Sequence, residues 1–408
     1  MKKYKLRPIN SVSFYYRNRL RKRRLIALLC GMVCITSIFV IVDDKIRIVE
    51  RIFPRDTSLM KINNQEEISH KYTISYDLYD KPTHTRGIYN PSHKIYNYEE
   101  YIELAKETGI NTFVIDLKND HGYFMFSTHN KMLNELGVVT QKKSTVDIKK
   151  MMLRLYEEGI YPVARVVAFK DNVMTKKYPE RAVKKLDGSI YKISTGEMWL
   201  DPYNKDNWEY LVEVCKEAEN IGFREVQFDY IRFHESMNKN TILLDGNKSK
   251  MEVITEFTKY AYEKIKPFNI NISADVFGAV ILGDVDASIV GQDFKEMSKY
   301  LDYISPMVYP SHYASGTFGI DYPHIDAYGI ILNTMKLGKK KIHKPDSDDT
   351  NYAKIRPWLQ DFTLKYIEPY HKYGPKEIRD QIKATYDAGL TDWLFWNASG
   401  NYTVQGFK

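Results

Sequence analysis

The amino-acid sequence predicts an α/β protein, a (β/α)8 TIM barrel preceded by one N-terminal transmembrane helix. From Thr85 onward, short apolar segments typical of strands alternate with amphipathic segments typical of helices. Eight strand segments over roughly 320 residues fit a closed barrel of parallel strands with a few enlarged loops. The alternative is an open doubly wound sheet, which usually has fewer strands and a glycine-rich first turn that is missing here.

Glycines mark the ends of several predicted helices in this pattern. Gly109, Gly159, Gly222 and Gly389 each follow an amphipathic segment, and glycine suits a helix end because it readily adopts a positive φ. The repeated order of helix, glycine and strand indicates consecutive βα units. The predicted strands are Thr85–Asn90, Thr112–Asp120, Tyr161–Phe169, Glu225–Phe233, Asn271–Gly278, Tyr303–Pro310, Ile355–Phe362 and Asp392–Ser399.

The first 83 residues predict a membrane anchor and a spacer. Residues 1–24 contain ten Lys or Arg and no acidic residue, and the uncharged run 25–42 is close to the ~20 residues that a membrane span needs. Basic residues keep the N-terminal side in the cytoplasm, so we expect an extracellular domain. The run is longer than that of a cleaved signal peptide and no A-x-A-like site follows it, which favours an uncleaved anchor. We interpret residues 43–83 as an extracellular stalk and 84–408 as the barrel.

Charge and motif content exclude several function classes. The net charge of +8 suggests a nucleic-acid partner, but the ten basic residues of the tail leave the rest of the chain at −2, so we expect none. No G-x-x-x-x-G-K-[ST], C-x-x-C or H-E-x-x-H motif is present and the histidines are scattered, so we expect neither a metal nor another cofactor. Only Cys215 lies outside the apolar run, which excludes an internal disulfide in the barrel.

The fourth predicted strand, Glu225–Phe233, carries the first candidate for chemistry. Alternate side chains of a strand share a face, so Val226, Phe228 and Tyr230 form an apolar face and Asp229 lies on the other. A carboxylate at the end of a buried strand is costly to desolvate unless it is paired or functional. Asp229 is therefore either a catalytic carboxylate or one half of a structural ion pair, with Arg232 or another base.

Polar residues recur near the ends of the other predicted strands. Asp116, Lys118 and Asp120 share the inward face of the second strand. Arg165 interrupts the apolar third strand, and Asp275 lies inward on the fifth. Each has an ordinary interpretation as part of a salt-bridged layer. Their convergence favours a functional site, because barrel enzymes act at the C-terminal ends of the strands.

Paired carboxylates flanked by aromatic rings are typical of glycoside hydrolysis. That reaction needs one acid to protonate the leaving oxygen and a second to attack the sugar or activate water. Asp229 and Asp275 are the leading pair, and Asp116 is the third candidate acid. Polar and aromatic residues of the same rim are expected to bind and orient the sugar, namely Lys118, Arg165, Arg232, Tyr309, His312, Gln360, Trp396 and Asn397.

Several segments carry a family resemblance: RGIY at 86–89, FVIDLKND at 113–120, WLDPY at 199–203, GF at 222–223 with QFDYIRF at 227–233, SADVFG at 273–278 and DYISPMVYPSHY at 302–313. Together they resemble a family of glycoside hydrolase domains found in bacterial membrane-anchored or secreted proteins, long described as a domain of unknown function. The resemblance implies a glycosidase-related barrel and a polysaccharide substrate. His234-Glu235 departs from the pattern, because a proline is expected after Phe233.

The sequence thus predicts a single-pass, outward-facing glycoside hydrolase whose partners are the membrane and a cell-wall or secreted polysaccharide. The alternative is a non-catalytic protein that binds cell-wall glycan on an inactive barrel. Asp229 and Asp275 belong to consecutive strands, which lie about 4.8 Å apart in a sheet. We therefore expect their carboxyl groups near the ~5–5.5 Å separation of retaining enzymes rather than the ~6.5–9.5 Å of inverting ones.

Overall fold

The computed structural model describes residues 81–140, 146–244, 246–268, 270–342 and 352–408. The predicted cytoplasmic tail, the membrane anchor and residues 43–80 of the stalk lie outside the described residues. In the part that the structure describes, every helix is too short or too polar to cross a lipid bilayer.

The described chain alternates strands and helices as predicted; the first strand ends at Asn90 as expected, and the others end earlier than expected. The strands are β1 Arg86–Asn90, β2 Thr112–Lys118, β3 Tyr161–Val167, β4 Glu225–Asp229, β5 Asn271–Phe277, β6 Tyr303–Met307, β7 Lys354–Ile355, β8 Trp358–Gln360 and β9 Trp393–Trp396. The helices are α1 Tyr98–Thr108, α2 Lys131–Leu136, α3 Ile148–Glu157, α4 Asn172–Lys177, α5 Lys205–Ile221, α6 Lys250–Ile265, α7 Ala279–Leu282, α8 Asp284–Val290, α9 Phe294–Ser298, α10 Ala327–Ile342 and α11 Pro375–Asp387.

The strands close into a ring, which confirms the predicted barrel. Each of β1 to β5 pairs in parallel with the next strand, β5 pairs with β6, and β9 pairs with β1. The predicted seventh strand is split in two, since Arg356 and Pro357 separate β7 from β8. Both pieces pair with β6, and β8 also pairs with β9, so together they occupy one position of an eight-position barrel.

Two apolar clusters hold the barrel together. The larger lies between the strands and the surrounding helices and includes Val226 and Phe228. The smaller fills the inside of the ring with Tyr89, Val114, Tyr161, Val163, Trp358 and Leu394. Alternation along each strand divides its side chains between the two clusters. Apolar side chains of the inner cluster thus fill much of the middle of the barrel, and charged side chains lie towards its two ends.

A buried ion pair occupies the N-terminal end of the barrel. Glu225 and Arg356 are fully buried and paired with each other, and Ser273 Oγ donates a hydrogen bond to Glu225 at 2.5 Å. The Arg356 guanidinium also lies 4.1 Å from the centre of the Tyr303 ring. Barrel enzymes build their active sites from the loops at the C-terminal end of the strands, so no active site is expected at this N-terminal end. We interpret this pair as structural.

Candidate functional site

Four charged side chains meet inside the barrel at the C-terminal ends of neighbouring strands. β2 supplies Asp116, β3 supplies Arg165, β4 supplies Asp229 and β5 supplies Asp275. All four are buried. Consecutive parallel strands bring inward residues of similar height together, so residues far apart in sequence form one cluster.

The guanidinium of Arg165 is the centre of this cluster. Its Nε and Nη2 donate to Asp229 Oδ2 at 3.0 and 2.6 Å. Its Nη1 donates to Asp116 Oδ1 at 2.7 Å and to Asp120 Oδ2 at 3.1 Å. Burial lowers the pKa of Arg165, but the carboxylates of Asp120, Asp229 and Asp116 outweigh burial and keep the pKa well above its ordinary value. The base that pairs with Asp229 is thus Arg165, not Arg232.

Asp229 receives donors on both oxygens. Besides the two bonds from Arg165 to Oδ2, the backbone N–H of Tyr230 donates to Oδ1 at 2.7 Å. Tyr230 has φ 50°, so it has left the strand, and the prediction that it continues the apolar face of β4 is wrong. A positive φ is strained for a bulky residue and recurs at functional sites. The Tyr230 ring contacts Lys170 and Arg232, whose charges lie 4.7 and 4.9 Å from its centre.

Asp116 has no oxygen left for a substrate. Oδ1 accepts from Arg165, and Oδ2 accepts from the hydroxyl of Tyr89 at 2.7 Å and from the backbone N–H of Ser92 at 3.3 Å. These donors occupy both oxygens of a buried carboxylate. The geometry indicates that Asp116 positions Arg165 and Tyr89.

Asp275 lies beside Asp229 but in a different environment. The register of β4 and β5 aligns Phe228 with Ala274, so the next residues are Asp229 and Asp275. Asp275 accepts one hydrogen bond, from Trp358 Nε1 at 2.7 Å. Burial raises the pKa of Asp275 well above its usual range, and the charge on Asp229 raises it further. The neighbouring carboxyls therefore differ: Asp229 accepts three hydrogen bonds from Arg165 and Tyr230, whereas Asp275 accepts one from Trp358 and has a raised pKa.

Aromatic rings flank the two acids. The Trp396 ring stacks on Tyr89 with centres 4.1 Å apart, and the Arg165 guanidinium lies 5.4 Å from the centre of Trp396. On the other side, Tyr309 packs against the inner cluster that contains Trp358, the donor to Asp275. Burial raises the pKa of Tyr309, and the charges of Asp275 and Asp229 raise it further. Half-buried rings beside a carboxyl pair can contact the apolar faces of a sugar.

The expected position of Lys118 on the inward face is wrong. A bulge between Asp116 and Lys118 shifts the register of β2, so Lys118 pairs with Val166 and packs against Tyr210 of α5. Its ammonium group is fully buried, forms an ion pair with Asp171 at 2.9 Å and donates to Val167 O at 2.5 Å. The contact with Tyr210 puts the ammonium group on the helix side of the sheet.

Two other residues expected to bind sugar hold loops instead. Gln360 is buried, donates to Ser311 Oγ at 2.7 Å and accepts from the N–H of Ser311 at 3.1 Å. Asn397 donates to the carbonyl of Asp361 at 2.6 Å and accepts from Ser399 Oγ at 2.7 Å. With these groups engaged, both side chains serve to position the rim.

Arg232 and His312 lie nearer the rim. The Arg232 guanidinium lies 4.3 Å from the centre of the ring of Phe277, which follows Asp275 by two residues on β5. It also donates a hydrogen bond to the carbonyl of Phe233 at 3.0 Å. His312 is exposed, and its ring packs against Tyr309 with centres 5.4 Å apart. Their roles toward a sugar stay predictions.

Some contacts that shape the site were not predicted from the sequence. Tyr89 and Trp358 each donate to one of the acids, and Asp120 and Lys170 form a partly exposed pair with 3.6 Å between their charged atoms. Tyr89 lies within a family segment and Trp358 within a predicted strand, so the signal was present. Their partners, however, are on other strands, which a linear pattern does not reveal. Among the described residues, no group of three or more His, Cys, Asp or Glu could hold a metal ion.

Comparison with known proteins supports the family resemblance. The model of a family described as "Putative glycosyl hydrolase domain" matches residues 87–402. No curated protein matches this chain.

Each of the following three solved structures is of a protein to which this chain is similar. A hypothetical protein from Ruminiclostridium thermocellum ATCC 27405 is 38% identical, covering 47% of this chain and 97% of its own, with a TM-score of 0.42. The PgaB (BpsB) glycoside hydrolase domain from Bordetella bronchiseptica is 11% identical, covering 78% and 94%, with a TM-score of 0.54. The α-L-fucosidase isoenzyme 2 from Paenibacillus thiaminolyticus is 10% identical, covering 79% and 48%, with a TM-score of 0.50. At the two lower identities, the similarity concerns the fold alone.

The raised pKa of Asp275 predicts a measurable effect on stability. An unfolded Asp ionises near pH about 3.9, whereas folded Asp275 keeps its proton to a much higher pH, so stability is lost as pH rises above about 4. Asp275→Asn keeps an acceptor for Trp358 and cannot ionise. The variant should be more stable than the wild type at pH 7, by about 1.4 kcal/mol for each unit of the pKa shift, with no advantage below pH about 4.

The measurement is urea unfolding of both proteins between pH 3.5 and 8. Asp321→Asn, in an exposed loop, is the control and should show no such pH-dependent gain. A stability difference that does not change with pH would show that Asp275 is not held protonated.

Proposed function

Because the chain belongs to this glycosyl hydrolase domain family, we propose that it is a membrane-anchored extracellular glycoside hydrolase acting on a cell-wall or secreted polysaccharide. The observation that carries the proposal is the pair Asp229 and Asp275. The two carboxyl groups lie on adjacent strands in different environments, since Asp229 accepts three hydrogen bonds and burial raises the pKa of Asp275. Two carboxyl groups in unlike environments are what glycoside hydrolysis requires. The family match supports a glycosidase.

The environments assign a role to each acid. Asp229, which accepts three hydrogen bonds from Arg165 and Tyr230, is the nucleophile. Asp275 is the general acid, since burial and the charge of Asp229 raise its pKa. In the first step Asp275 gives its proton to the glycosidic oxygen while Asp229 Oδ1 or Oδ2 forms an ester with the anomeric carbon, and the C–O bond to the leaving sugar breaks.

The second step follows from the same electrostatics. Esterification removes the negative charge of Asp229, so one of the causes that raise the pKa of Asp275 disappears. Asp275, now without its proton, takes one from water. The hydroxide attacks the anomeric carbon and releases Asp229 as a carboxylate, with net retention of configuration. Throughout, Arg165 keeps Asp116 and Asp120 as partners, so its buried charge is never unpaired.

The second candidate is a non-catalytic glycan-binding protein, and one observation favours it. Asp229 and Asp116 both bind Arg165, which a purely structural ion-pair cluster would also require. Such a protein would keep the Trp396 and Tyr309 rings. It would have no need of Asp275, a buried carboxyl next to a second one, because such a pair is costly to stability.

Asp229→Asn separates these functions. The substitution removes the nucleophile but leaves Arg165 with two carboxylates, so hydrolysis should fall by orders of magnitude while the melting temperature changes little. The measurement is a screen of the purified full-length chain and this variant against cell-wall and secreted glycans, with reducing ends as the readout. Normal hydrolysis with a loss of stability of roughly 3–5 kcal/mol would identify a structural ion pair instead.

Stereochemistry tests the assignment of the pair. If Asp229 is the nucleophile and Asp275 the acid, the first-formed product has the anomeric configuration of the substrate. Proton NMR during the first minutes of hydrolysis, before mutarotation, measures it. Inversion would remove Asp229 from the role of nucleophile and require a water-activating base farther from Asp275.

The membrane anchor is a separate part of the proposal and rests on the sequence of residues 1–42. Ten basic residues before an uncharged run of 18 residues should leave the N-terminus inside and the barrel outside. Protease added to intact cells should therefore digest the barrel and spare the tail, and permeabilised cells are the control in which both are digested. A barrel that survives in intact cells would contradict this orientation.

A further inference from the structure

Two loops at the C-terminal rim are joined into one surface. They follow neighbouring strands, with residues 308–326 after β6 and residues 361–374 after β8. His324 Nε2 forms a hydrogen bond with the carbonyl of Pro369 at 2.8 Å. At the base of the loops, Gln360 binds both the backbone and the hydroxyl of Ser311. These contacts hold the loops together, and we call the residues of both loops the β6–β8 surface.

The inner part of the β6–β8 surface adjoins the acid pair. Tyr309, His312 and Phe362 form a ring cluster with centres 5.4 to 5.9 Å apart. Tyr309 also packs against the inner cluster that contains Trp358, whose Nε1 donates a hydrogen bond to Asp275. A polysaccharide bound at the acid pair and extending to this side would therefore contact these aromatic rings first.

The outer part presents large aromatic rings to solvent. Tyr322 and Tyr370 are each 52% exposed, Tyr366 is 63% exposed and Phe318 is 38% exposed. Phe318 also has φ 55°, an unfavourable backbone conformation for a bulky residue. Scattered single apolar side chains are ordinary on a surface, but several in two connected loops beside a functional site indicate a binding area.

The charge of this surface limits what it can bind. Lys365 and Lys372 are outnumbered by Asp321, Asp326, Asp361 and Glu368, so the two loops have a formal net charge of −2. A polyanionic chain would be repelled rather than attracted. Aromatic rings without a basic excess suit the apolar faces of uncharged sugar rings.

We propose that the β6–β8 surface binds sugar units beyond those at the acid pair, and that the chain cleaves the interior of a long, uncharged polysaccharide. This inference rests on the proposed function, because the surface is continuous with the proposed active site. Contacts several sugars away from the cleaved bond add binding that only a polymer can use. Short oligosaccharides should therefore be poor substrates, and cleavage should shorten polymers from within.

The experiment measures binding apart from catalysis. Full-length Asp229→Asn, which should bind without hydrolysis, is compared with the same protein carrying Tyr322→Ala and Tyr370→Ala. The control adds Tyr386→Ala instead, because Tyr386 is 40% exposed near the end of α11 and beside Trp393 at the start of β9, on the opposite face. Affinity electrophoresis uses glycol chitin, hydroxyethyl cellulose and laminarin as uncharged polymers and polygalacturonate as the polyanion.

We expect binding of at least one uncharged polymer, weakened about tenfold by the double substitution, as for loss of aromatic anchors, and unchanged by Tyr386→Ala. Tyr322→Phe should restore binding, since a ring is what the contact needs. If the double variant does not fold, each single variant gives the same readout. Binding that is unchanged by the double substitution, or that occurs only with polygalacturonate, overturns the inference.

Hydrolysis by the wild-type protein distinguishes failure of the proposed function from failure of this inference. A drop in viscosity of the bound polymer well ahead of the release of reducing ends supports internal cleavage. Hydrolysis that is equally fast on short oligosaccharides, with no effect of the double substitution, leaves the proposed function standing and removes this inference. Tyrosine-dependent binding without hydrolysis supports the binding surface and removes the proposed function, together with internal cleavage.

Discussion

The guanidinium of Arg165 lies between three carboxylates at the end of the barrel, and the arrangement of the site depends on it. Asp116 and Asp229 are buried on the strands on either side of β3. Two buried carboxylates so near each other repel one another unless a cation lies between them. Arg165 supplies that cation, and because its donors are shared among Asp229, Asp116 and Asp120 its position is determined from three directions.

Arg165 binds three of the four acids of the site, and Asp275 is the acid without a hydrogen bond from it. It lies next to Asp229 but makes its hydrogen bond with Trp358 rather than with a base. Burial and the neighbouring charge keep it protonated. The same imbalance that makes Asp275 costly to ionise also prepares it to donate a proton, so the site separates two identical side chains by environment alone.

Two local irregularities refine this arrangement. The bulge before Lys118 turns that side chain to the helix side of β2, where Asp171 pairs with it. As a result, Arg165 is the cation placed between the acids. The positive φ of Tyr230 ends β4 directly after Asp229, while its N–H binds the carboxylate. Both irregularities lie within two residues of an acid, as expected where backbone strain serves a function.

The sequence by itself determined the barrel, the strand that carries each acid and the inward direction of Asp229 and Asp275. These follow from local rules: apolar periodicity defines strands, and alternation decides which face a side chain occupies. It also identified the family, through segments that lie at the strand ends.

The tertiary structure decided which residues are partners. That Asp229 pairs with Arg165 rather than Arg232, that Gln360 and Asn397 hold loops, and that Trp358 binds Asp275 depend on contacts across the ring between residues up to 83 positions apart. A bulge of one residue was enough to reverse the face of Lys118. Pattern along a chain specifies direction at each residue, but the partners in a closed barrel are set by register and curvature, which arise only when all strands are in place.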